Sequence, residues 1–517
     1  MVFPDHSLTP SPTTTILDHT ASFEAKIKHG EPVSTFPARS ESPLQPPEPM
    51  VVTWDGPTDP HNPQNWSYGY KWFITLICGL LTLNVTFASS APSSSTITIA
   101  KEFGSSEEVS YLITSMFLVG YVFGPMFWGP GSELIGRRPI LVVTLSLYTL
   151  FHLGQALAQN METVIITRFF AGFFACIAMS VFAMNVFLGP VLGPVVGSYV
   201  TVSHLGWRWV FWVMMIFAGF CTLVGIAFLP ETYEPVLFVQ KAKRLRALNP
   251  EQNKNVYAES EKIEWTTSEL LNRTVLRPFK MLLVEPILLL VTIYLSVVYG
   301  IIYAMFEAFP VIFIHIRHFT TPHDGLMFIG IGIGSVIAAL INIWFLRPYP
   351  QLMKEWRGFP PPEKRLNSAM LGTPLITFSI FWLGWTGNYE SVPWYVPALS
   401  TIPLGTGIVL VFMSFLSYLV DTYRMYSASA FAANTMARSA VGAAFPLFTT
   451  QMFEGMGVNW ASTLIGGIAL LLLPIPFLFY KYGPRIRARS KFSPSRDLEI
   501  AKEIEAERKV MEENGQV

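Results

Sequence analysis

The chain has 517 residues, of which 51% are hydrophobic and 14% charged, and its formal net charge is zero. Soluble domains carry about 25% charged residues, so this composition, with a mean hydropathy of +0.41, argues against an ordinary soluble enzyme. The zero net charge gives no indication of a nucleic-acid partner. Charges crowd between long apolar runs, a pattern that predicts an all-α multi-pass membrane protein.

The first 66 residues are rich in proline, serine, threonine and acids, and they contain no apolar stretch of the kind found in signal peptides. Segments of such composition do not bury enough apolar surface to fold. We therefore expect residues 1–66 to be a disordered cytoplasmic tail.

Eleven apolar runs follow, and each is long enough to cross the hydrocarbon core, which takes about 20 helical residues. One run, residues 163–202, is long enough for two short helices, so the runs predict twelve spans. The other runs are residues 72–94, 108–128, 139–158, 209–229, 286–306, 325–345, 369–385, 392–416, 427–448 and 460–480. Their distribution divides the chain into transmembrane halves at 67–232 and 281–482, a central loop at 233–280 and a charged tail at 483–517.

Basic residues favour one side of this topology. Arg137, Arg138, Lys241, Arg244 and Arg485 all lie in loops or tails on the side of the termini, and the opposite loops hold few. The positive-inside rule then predicts that both termini and the central loop are cytoplasmic, as expected of a multi-pass protein of the cell membrane.

The loop after the second run reads GPGSELIGRRP, with Gly129, Glu133, Gly136, Arg137 and Arg138 at fixed spacing. The glycines permit a tight turn between two helices. We expect the acid to lie at a helix N-terminus of the opposite half and the arginines to pair with acids there. The alternative is a short loop with ordinary positive-inside charges.

Arg168 lies within the fourth predicted helix. A charge at membrane depth is expensive, which indicates a function, although an arginine that snorkels to the interface is the alternative. Downstream, GPVLGPVVG repeats small residues and prolines that kink a helix and permit close backbone approach. This motif comprises Gly189, Pro190, Gly193, Pro194 and Gly197, and generic helix packing is its alternative interpretation.

These motifs resemble those of the major facilitator superfamily, and the strings WDGPTDPHNPQNW, LPETYEPVL and PIPFLFYKYGPRIRARS resemble its fungal twelve-span drug:proton antiporters. The resemblance implies two six-helix halves around a central cavity, with alternating access. It also implies export of hydrophobic or cationic small molecules, such as drugs, fungicides and secondary-metabolite toxins, in exchange for protons. It ties Arg168 to proton coupling and GPVLGPVVG to antiport.

Two other function classes are weighed against export. A nutrient or polyamine uniporter or symporter shares the fold, but the antiporter-type motif argues against it. A membrane enzyme needs a catalytic or metal constellation, and His315, His318 and His323 lack metal-ligand spacing. No nucleotide-binding loop occurs in the sequence. We expect no enzyme activity, cofactor, metal or nucleic-acid partner, and a monomer suffices for the two-half mechanism.

Glu307, at the end of the seventh run, is the candidate carboxylate for holding a proton; an interfacial acid in water is the alternative. Tyr299, Tyr303 and Phe306 follow i, i+4, i+7 spacing on the same helix and are candidates for stacking on a planar ligand. Ordinary packing is the alternative for these rings. Three further polar residues lie within predicted spans and are assigned to the substrate cavity: Asn84, Asn434 and Arg438. We expect Arg438 to pair with an acid and the asparagines to bond between helices.

The chain departs from this family between Arg168 and Gly189. Only 21 positions separate them, whereas the family has roughly two helix lengths and a polar loop there. The sequence therefore predicts shortened fourth and fifth helices, and we expect that the gene model or transcript has lost a segment near Ala175 and Cys176. A chain made as written is then expected to be impaired in transport.

Overall fold

The computed structural model describes residues 50–181, 186–250, 253–262, 269, 276–493 and 495–513. Most of these residues form helices, as expected for a chain that must satisfy its backbone hydrogen bonds inside a membrane. The first 49 residues of the predicted tail lie outside the described part.

The first half is built from helices separated by short turns. Its first span is one continuous stretch of 36 residues, Tyr68–Phe103, in which a 3-10 segment at Ala91–Ser95 joins two α-helices. The helices are α1 (Tyr68–Ser90), α2 (Thr96–Phe103), α3 (Glu107–Ile135), α4 (Arg137–Ala156), α5 (Met161–Val181), α6 (Leu188–Val202) and α7 (Arg208–Phe228).

The second half follows the amphipathic helix α8 (Glu234–Leu248) and the short helix α9 (Arg277–Val284). Its helices are α10 (Pro286–Phe309), continued by a π-helical segment to Ile316, α11 (Thr321–Leu326), α12 (Ile329–Leu346), α13 (Tyr349–Glu355), α14 (Asn367–Gly387), α15 (Tyr395–Tyr423), α16 (Ser427–Met456), α17 (Val458–Leu472), α18 (Ile475–Arg487) and α19 (Arg496–Glu513).

Ten stretches of the described residues are long and apolar enough to span a membrane. One of them, Tyr395–Met456, contains two span-length helices, α15 and α16, joined by a 3-10 turn. The apolar helix α6 is shorter, at 15 residues. Helices therefore occupy all twelve predicted spans.

The bundle has two ends. The end that carries Gly136, between α3 and α4, and Glu363, between α13 and α14, is called the tail face. The loop face carries Gly104 and Gly457, which cap the far ends of α2 and α16.

The predicted shortening near residue 180 falls mainly on the fifth span. At 1.5 Å per residue, the 21 residues of α5 extend about 31 Å, whereas the 15 residues of α6 extend about 22 Å. The hydrocarbon core is about 30 Å thick. Residues 182–185, which connect the two helices, lie outside the described residues.

Small residues set the distance between helices. A Cβ added to Gly172 of α5 would overlap the backbone of Phe117 in α3, and one added to Gly405 of α15 would overlap the backbone of Ile331 in α12. Lipid tails offer helices no hydrophobic driving force for association, so close van der Waals packing at such sites stabilises the bundle.

The chain between the halves contributes to a compact unit of its own, residues 1–53 and 239–262, of which only part is described. Met50–Val51 pairs in parallel with Val256–Tyr257. Arg246 Nη2 lies 2.6 Å from Glu261 Oε1. Burial opposes the effect of this contact, but hydrogen bonds from Arg246 and from the Ala258 amide leave the pKa of Glu261 lower than usual.

The C-terminal tail is anchored on the tail face of the second half. Arg487 is 1% exposed, and its guanidinium donates to both carboxylate oxygens of Glu363 at 2.9 Å and to Asp497, at the start of α19, at 2.7 and 2.8 Å. Glu285 accepts hydrogen bonds from Ser490 Oγ at 2.6 Å and from the following amide. Glu363, Asp497 and Glu285 are all buried, so these contacts fix the start of the tail.

Candidate functional site

Arg168 is fully buried between three helices of the first half. Its Nε donates to the Ile113 carbonyl at 2.8 Å, and its Nη1 and Nη2 donate to the Ala88 and Ser89 carbonyls at 2.7 and 3.1 Å. The guanidinium also lies 4.2 Å from the centre of the Phe117 ring. Snorkelling to the interface is therefore ruled out, and no ion pair of Arg168 is found among the described residues.

A proline in the first span leaves the Ala88 carbonyl available to Arg168. In an α-helix the Ala88 carbonyl accepts from the amide of residue 92, but residue 92 is Pro92, which has no N–H. The chain switches to 3-10 geometry from Ala91 to Ser95 at this point. Arg168 supplies the missing donor, and so it ties α5 to the break in the first span.

The glycines of the GPVLGPVVG motif lie along the contact of α6 with the first span. A Cβ at Gly189 would overlap Thr86, one at Gly193 would overlap Ser90, and one at Gly197 would overlap the Ala91 carbonyl. Pro194 lies inside the helix, and Pro190 in its first turn. The motif thus brings two backbones together beside the helix break that Arg168 contacts.

We expect Gly193→Ala to lower the stability of the folded protein by about 1–3 kcal/mol, since the methyl group overpacks the contact with the first span. Thermal unfolding of the purified protein measures the effect. Gly467→Ala is the matched control, because a Cβ there meets no atom within 4 Å. Its melting temperature is expected to stay level or rise slightly. Equal melting temperatures for the two variants would contradict the packing argument.

Glu307 is 6% exposed near the loop-face end of α10, and its Oε1 has no hydrogen-bond partner in the structure. The alternative of a water-exposed interfacial acid is therefore wrong. Glu307 interacts electrostatically with Asp324 of α11, which is also 6% exposed and has an unpartnered Oδ1, and with Tyr111 of the first half. Asp324 was not among the residues predicted for this site, and its position at the start of the eighth span was the available signal.

Tyr299, Tyr303 and Phe306 lie on one face of α10, and their stacking on a ligand stays a prediction. Tyr299 and Tyr303 have ring centres 5.0 Å apart, and Tyr303 and Phe306 are 5.2 Å apart. The Tyr303 hydroxyl lies 2.8 Å from Ser89 Oγ in the first half. Since the Ser89 carbonyl is held by Arg168, a short chain of contacts links the buried arginine to the aromatic face one turn before Glu307.

Arg438 of α16 is 3% exposed, and its guanidinium lies 5.2 Å from the Tyr299 ring centre and 5.6 Å from that of Phe412. Its Nε and Nη1 have no hydrogen-bond partner. The expected pairing with an acid is not found among the described residues.

The two buried asparagines differ in their contacts. Asn434 Nδ2 donates to Thr292 Oγ1 of α10 at 3.3 Å, which is the expected bond between helices. Asn84 Oδ1 has no partner, and the Tyr148 hydroxyl donates to the Asn84 backbone carbonyl at 3.4 Å.

The loop motif forms a tight turn whose described contacts lie within its own half. Gly136 has φ +114°, in the region that favours glycine. The Glu231 carboxylate accepts from the amides of Arg137 and Arg138 at 3.3 and 3.0 Å and caps α4. Glu133 is partly buried on the same turn. Glu231 of LPETYEPVL, which was not singled out from the sequence, therefore holds the two arginine amides. The expected contacts of Glu133 and of the arginine side chains with the opposite half stay a prediction.

The model of the Major Facilitator Superfamily matches this sequence in two pieces, residues 76–184 and 177–446, which together cover most of the chain. The chain belongs to the major facilitator superfamily. The two matches overlap at residues 177–184, where α5 ends.

Curated relatives of this superfamily member are fungal transporters. An ascochitine biosynthesis cluster MFS transporter of Didymella fabae is 39% identical over 495 residues, covering 90% of this chain and 94% of that protein. The MFS-type efflux pump MFS2 of Trichophyton rubrum is 40% identical over 482 residues, covering 89% and 80%. The multidrug transporter mdrA of Aspergillus fumigatus is 37% identical over 473 residues, covering 87% and 77%. The relatives are named as transporters, and this major facilitator chain is likewise a transporter rather than an enzyme.

A solved structure shares the fold. The proton:xylose symporter XylE, bound to 6-bromo-6-deoxy-D-glucose, superposes with a TM-score of 0.54 at 16% identity, covering 81% of this chain and 96% of that one. At this identity the likeness supports the major facilitator fold of the chain and nothing about its cargo.

Proposed function

We propose that this chain exports hydrophobic small molecules, such as drugs, fungicides or secondary-metabolite toxins, in exchange for protons by alternating access. The proposal places it in the cell membrane as a monomer, with the tail face in the cytoplasm and the loop face outside. The basic loops on the tail face support this orientation, and the efflux pumps and cluster transporters among its relatives support export.

The observation that carries proton coupling is the buried Glu307 with its unpartnered oxygen. An ionised carboxylate without a partner is expensive to bury, so a proton is the natural way to neutralise it. Glu307 lies on α10, faces Tyr111 of the other half and has the second buried acid Asp324 nearby. A carboxyl group at the boundary of two moving halves is well placed to exchange its proton with a different side in each state.

The test is accumulation of a dye panel in cells expressing the full chain, with and without a protonophore. We expect reduced accumulation that the protonophore restores. In Glu307→Gln the side chain keeps its size but does not release a proton, so energised export is expected to fall at least about tenfold.

Glu162→Gln is the matched control, because Glu162 is exposed at the start of α5. Export that persists in Glu307→Gln at the level of this control would remove Glu307 from proton coupling. Export that the protonophore does not change would overturn the antiport mechanism itself.

A second candidate is that the chain as written is a transport-impaired product. The observation in its favour is the 15-residue α6 together with the double family match at residues 177–184. Export by a chain that carries a family segment grafted between Ala175 and Cys176, compared with export by the chain as written, separates this candidate from an active exporter.

A further inference from the structure

The centre of the molecule contains two buried arginines, one from each half. A chain of contacts connects them: Arg168 of α5 donates to the Ser89 carbonyl, Ser89 Oγ lies 2.8 Å from the Tyr303 hydroxyl, and Tyr303 packs against Tyr299, whose ring lies 5.2 Å from the guanidinium of Arg438 in α16. No ion pair of either arginine is found in the part of the chain that the structure describes. The centre of the transport path is therefore electropositive.

The two arginines differ in how their N–H groups are used. Arg168 donates hydrogen bonds to three backbone carbonyls and holds helices of the first half together. Arg438 leaves Nε and Nη1 without a partner, although the residue is 97% buried. Buried N–H donors are normally hydrogen-bonded. The described residues supply no acceptor for Nε and Nη1 of Arg438, so a bound molecule is left to supply one.

Glu307, the buried acid assigned to proton coupling, lies too far along α10 to accept from Arg438. Gly442, one turn after Arg438, packs against Tyr299, so the two parallel helices are level there. Arg438 lies four residues before Gly442 on α16, and Glu307 lies eight residues after Tyr299 on α10. At 1.5 Å per residue they are separated by about 18 Å along the bundle axis.

The rings next to Arg438 define the other half of a binding site. Tyr299 and Phe412 lie beside the guanidinium with ring centres 6.2 Å apart. Phe187, from the start of the fifth span, contacts Phe412 at 4.6 Å and brings the first half to the same place. Cation–π contacts compensate part of the desolvation of a guanidinium, but they do not satisfy its N–H donors.

We propose that Arg438, with Tyr299 and Phe412, forms the cargo site and that it selects aromatic anions, in particular aromatic carboxylates. A carboxylate accepts from two N–H groups of one arginine in a planar fork, and a conjugated ring packs against the aromatic side chains. This assignment rests on the proposed export function and narrows its cargo. The cationic part of the cargo range expected from the sequence finds no support among the described central residues, since the buried charges there are positive.

The test compares two dyes that share a xanthene ring system and differ in charge. Fluorescein is anionic and carries a carboxylate at neutral pH, and rhodamine 6G is cationic. Binding of each dye to the purified full chain in lipid nanodiscs is measured by fluorescence anisotropy against empty nanodiscs. We expect fluorescein to bind at least about tenfold more tightly than rhodamine 6G.

Substitutions then locate the site. Arg438→Gln is expected to weaken fluorescein binding about tenfold or more without weakening rhodamine 6G binding, and Arg438→Lys, which keeps the charge and loses the fork, to lie between. Arg347→Gln removes an exposed arginine at the end of α12 and is the matched control, expected to bind like the unaltered chain. If Arg438→Gln does not fold, two measurements still test the anion site: the ratio of fluorescein to rhodamine 6G affinity in the unaltered chain, and fluorescein binding by Arg438→Lys.

Rhodamine 6G binding as tightly as fluorescein, or fluorescein binding that is unchanged in Arg438→Gln, would overturn the anion site. These binding measurements need no transport. Protonophore-sensitive export of rhodamine 6G with weak fluorescein binding would retain the exporter and reject the anion site. Arg438-dependent fluorescein binding, with no export of fluorescein from cells, would retain the site and reject the export function.

Discussion

Replacing Arg168 with alanine is expected to abolish export and to destabilise the folded protein by about 3 kcal/mol or more. Arg168 donates to the carbonyls of Ala88, Ser89 and Ile113, of which Ile113 keeps a helical donor within α3. Each buried acceptor left without a donor costs about 1–3 kcal/mol, and loss of the packed side chain adds to this. The Ala88 carbonyl has no helical donor to fall back on, because Pro92 occupies the position that would supply it. Thermal unfolding of the purified protein and dye export from cells are the two measurements.

Arg168→Lys separates geometry from charge. Lysine keeps the positive charge, but its ammonium lacks the planar fork that reaches three carbonyls on two helices. If the fork matters, Lys behaves much like Ala in the unfolding measurement, and we expect this outcome. A lysine variant as stable as the unaltered chain would mean that charge alone holds the first span.

Arg208→Ala is the control for losing an arginine of the same half. Arg208 pairs with Glu102 at 2.5 Å on the loop face, and both side chains are at least one-third exposed. Exposed pairs contribute about 1 kcal/mol or less. An Arg168→Ala variant no less stable than Arg208→Ala would contradict the structural role assigned to Arg168.

The sequence was sufficient to predict the spans and the motifs because both depend on local composition. Apolar runs of about 20 residues have few structural solutions in a membrane. The glycines of α6 and of the loop motif likewise report close approach or positive φ, as Gly193 and Gly136 do in the structure. The i, i+4, i+7 face of Tyr299, Tyr303 and Phe306 follows from helical periodicity alone.

The partners of the polar residues were not predictable in the same way, since they depend on which helices meet. Sequence spacing does not show that Glu231, 93 residues beyond Arg138, caps the loop-motif helix, or that Asp324 lies beside Glu307. The expected acid partner of Arg438 is absent from the described residues because its neighbours are aromatic rings of α10 and α15. A single sequence records the residue types but not these contacts.

If the transport-impaired candidate is correct, inserting a family segment between the fourth and fifth spans is expected to raise export by at least about tenfold. Helices α3 and α5 run parallel, with Gly124 packed against Cys176. Beyond this contact α3 continues for 11 residues, about 17 Å, and α5 for five, about 8 Å. The deficit of α6 is larger. Gly189 of α6 packs against Thr86 of α1. Before this contact α1 has 18 residues, about 27 Å of helix, whereas α6 has one residue.

These deficits fall on the tail face, where an alternating-access carrier must close one state and open the other. Among the described residues, the fifth span packs only against the loop-face part of α1, so the tail-face part of α1 has no described contact with that span. The position of the insertion follows the sequence expectation of a segment lost near Ala175 and Cys176, and the overlap of the two family matches at residues 177–184 supports it. The insertion therefore belongs between Ala175 and Cys176.

The experiment grafts the corresponding segment of the Didymella fabae relative at this junction and compares dye export, normalised to protein at the cell surface. A Gly/Ser segment of equal length is the matched control, because it restores length without an apolar helix and is expected to leave export low. If the chain as written already exports as well as the grafted one, the 15-residue α6 is a working fifth span and the transport-impaired candidate is rejected. If only the grafted chain exports, the missing segment is what transport requires.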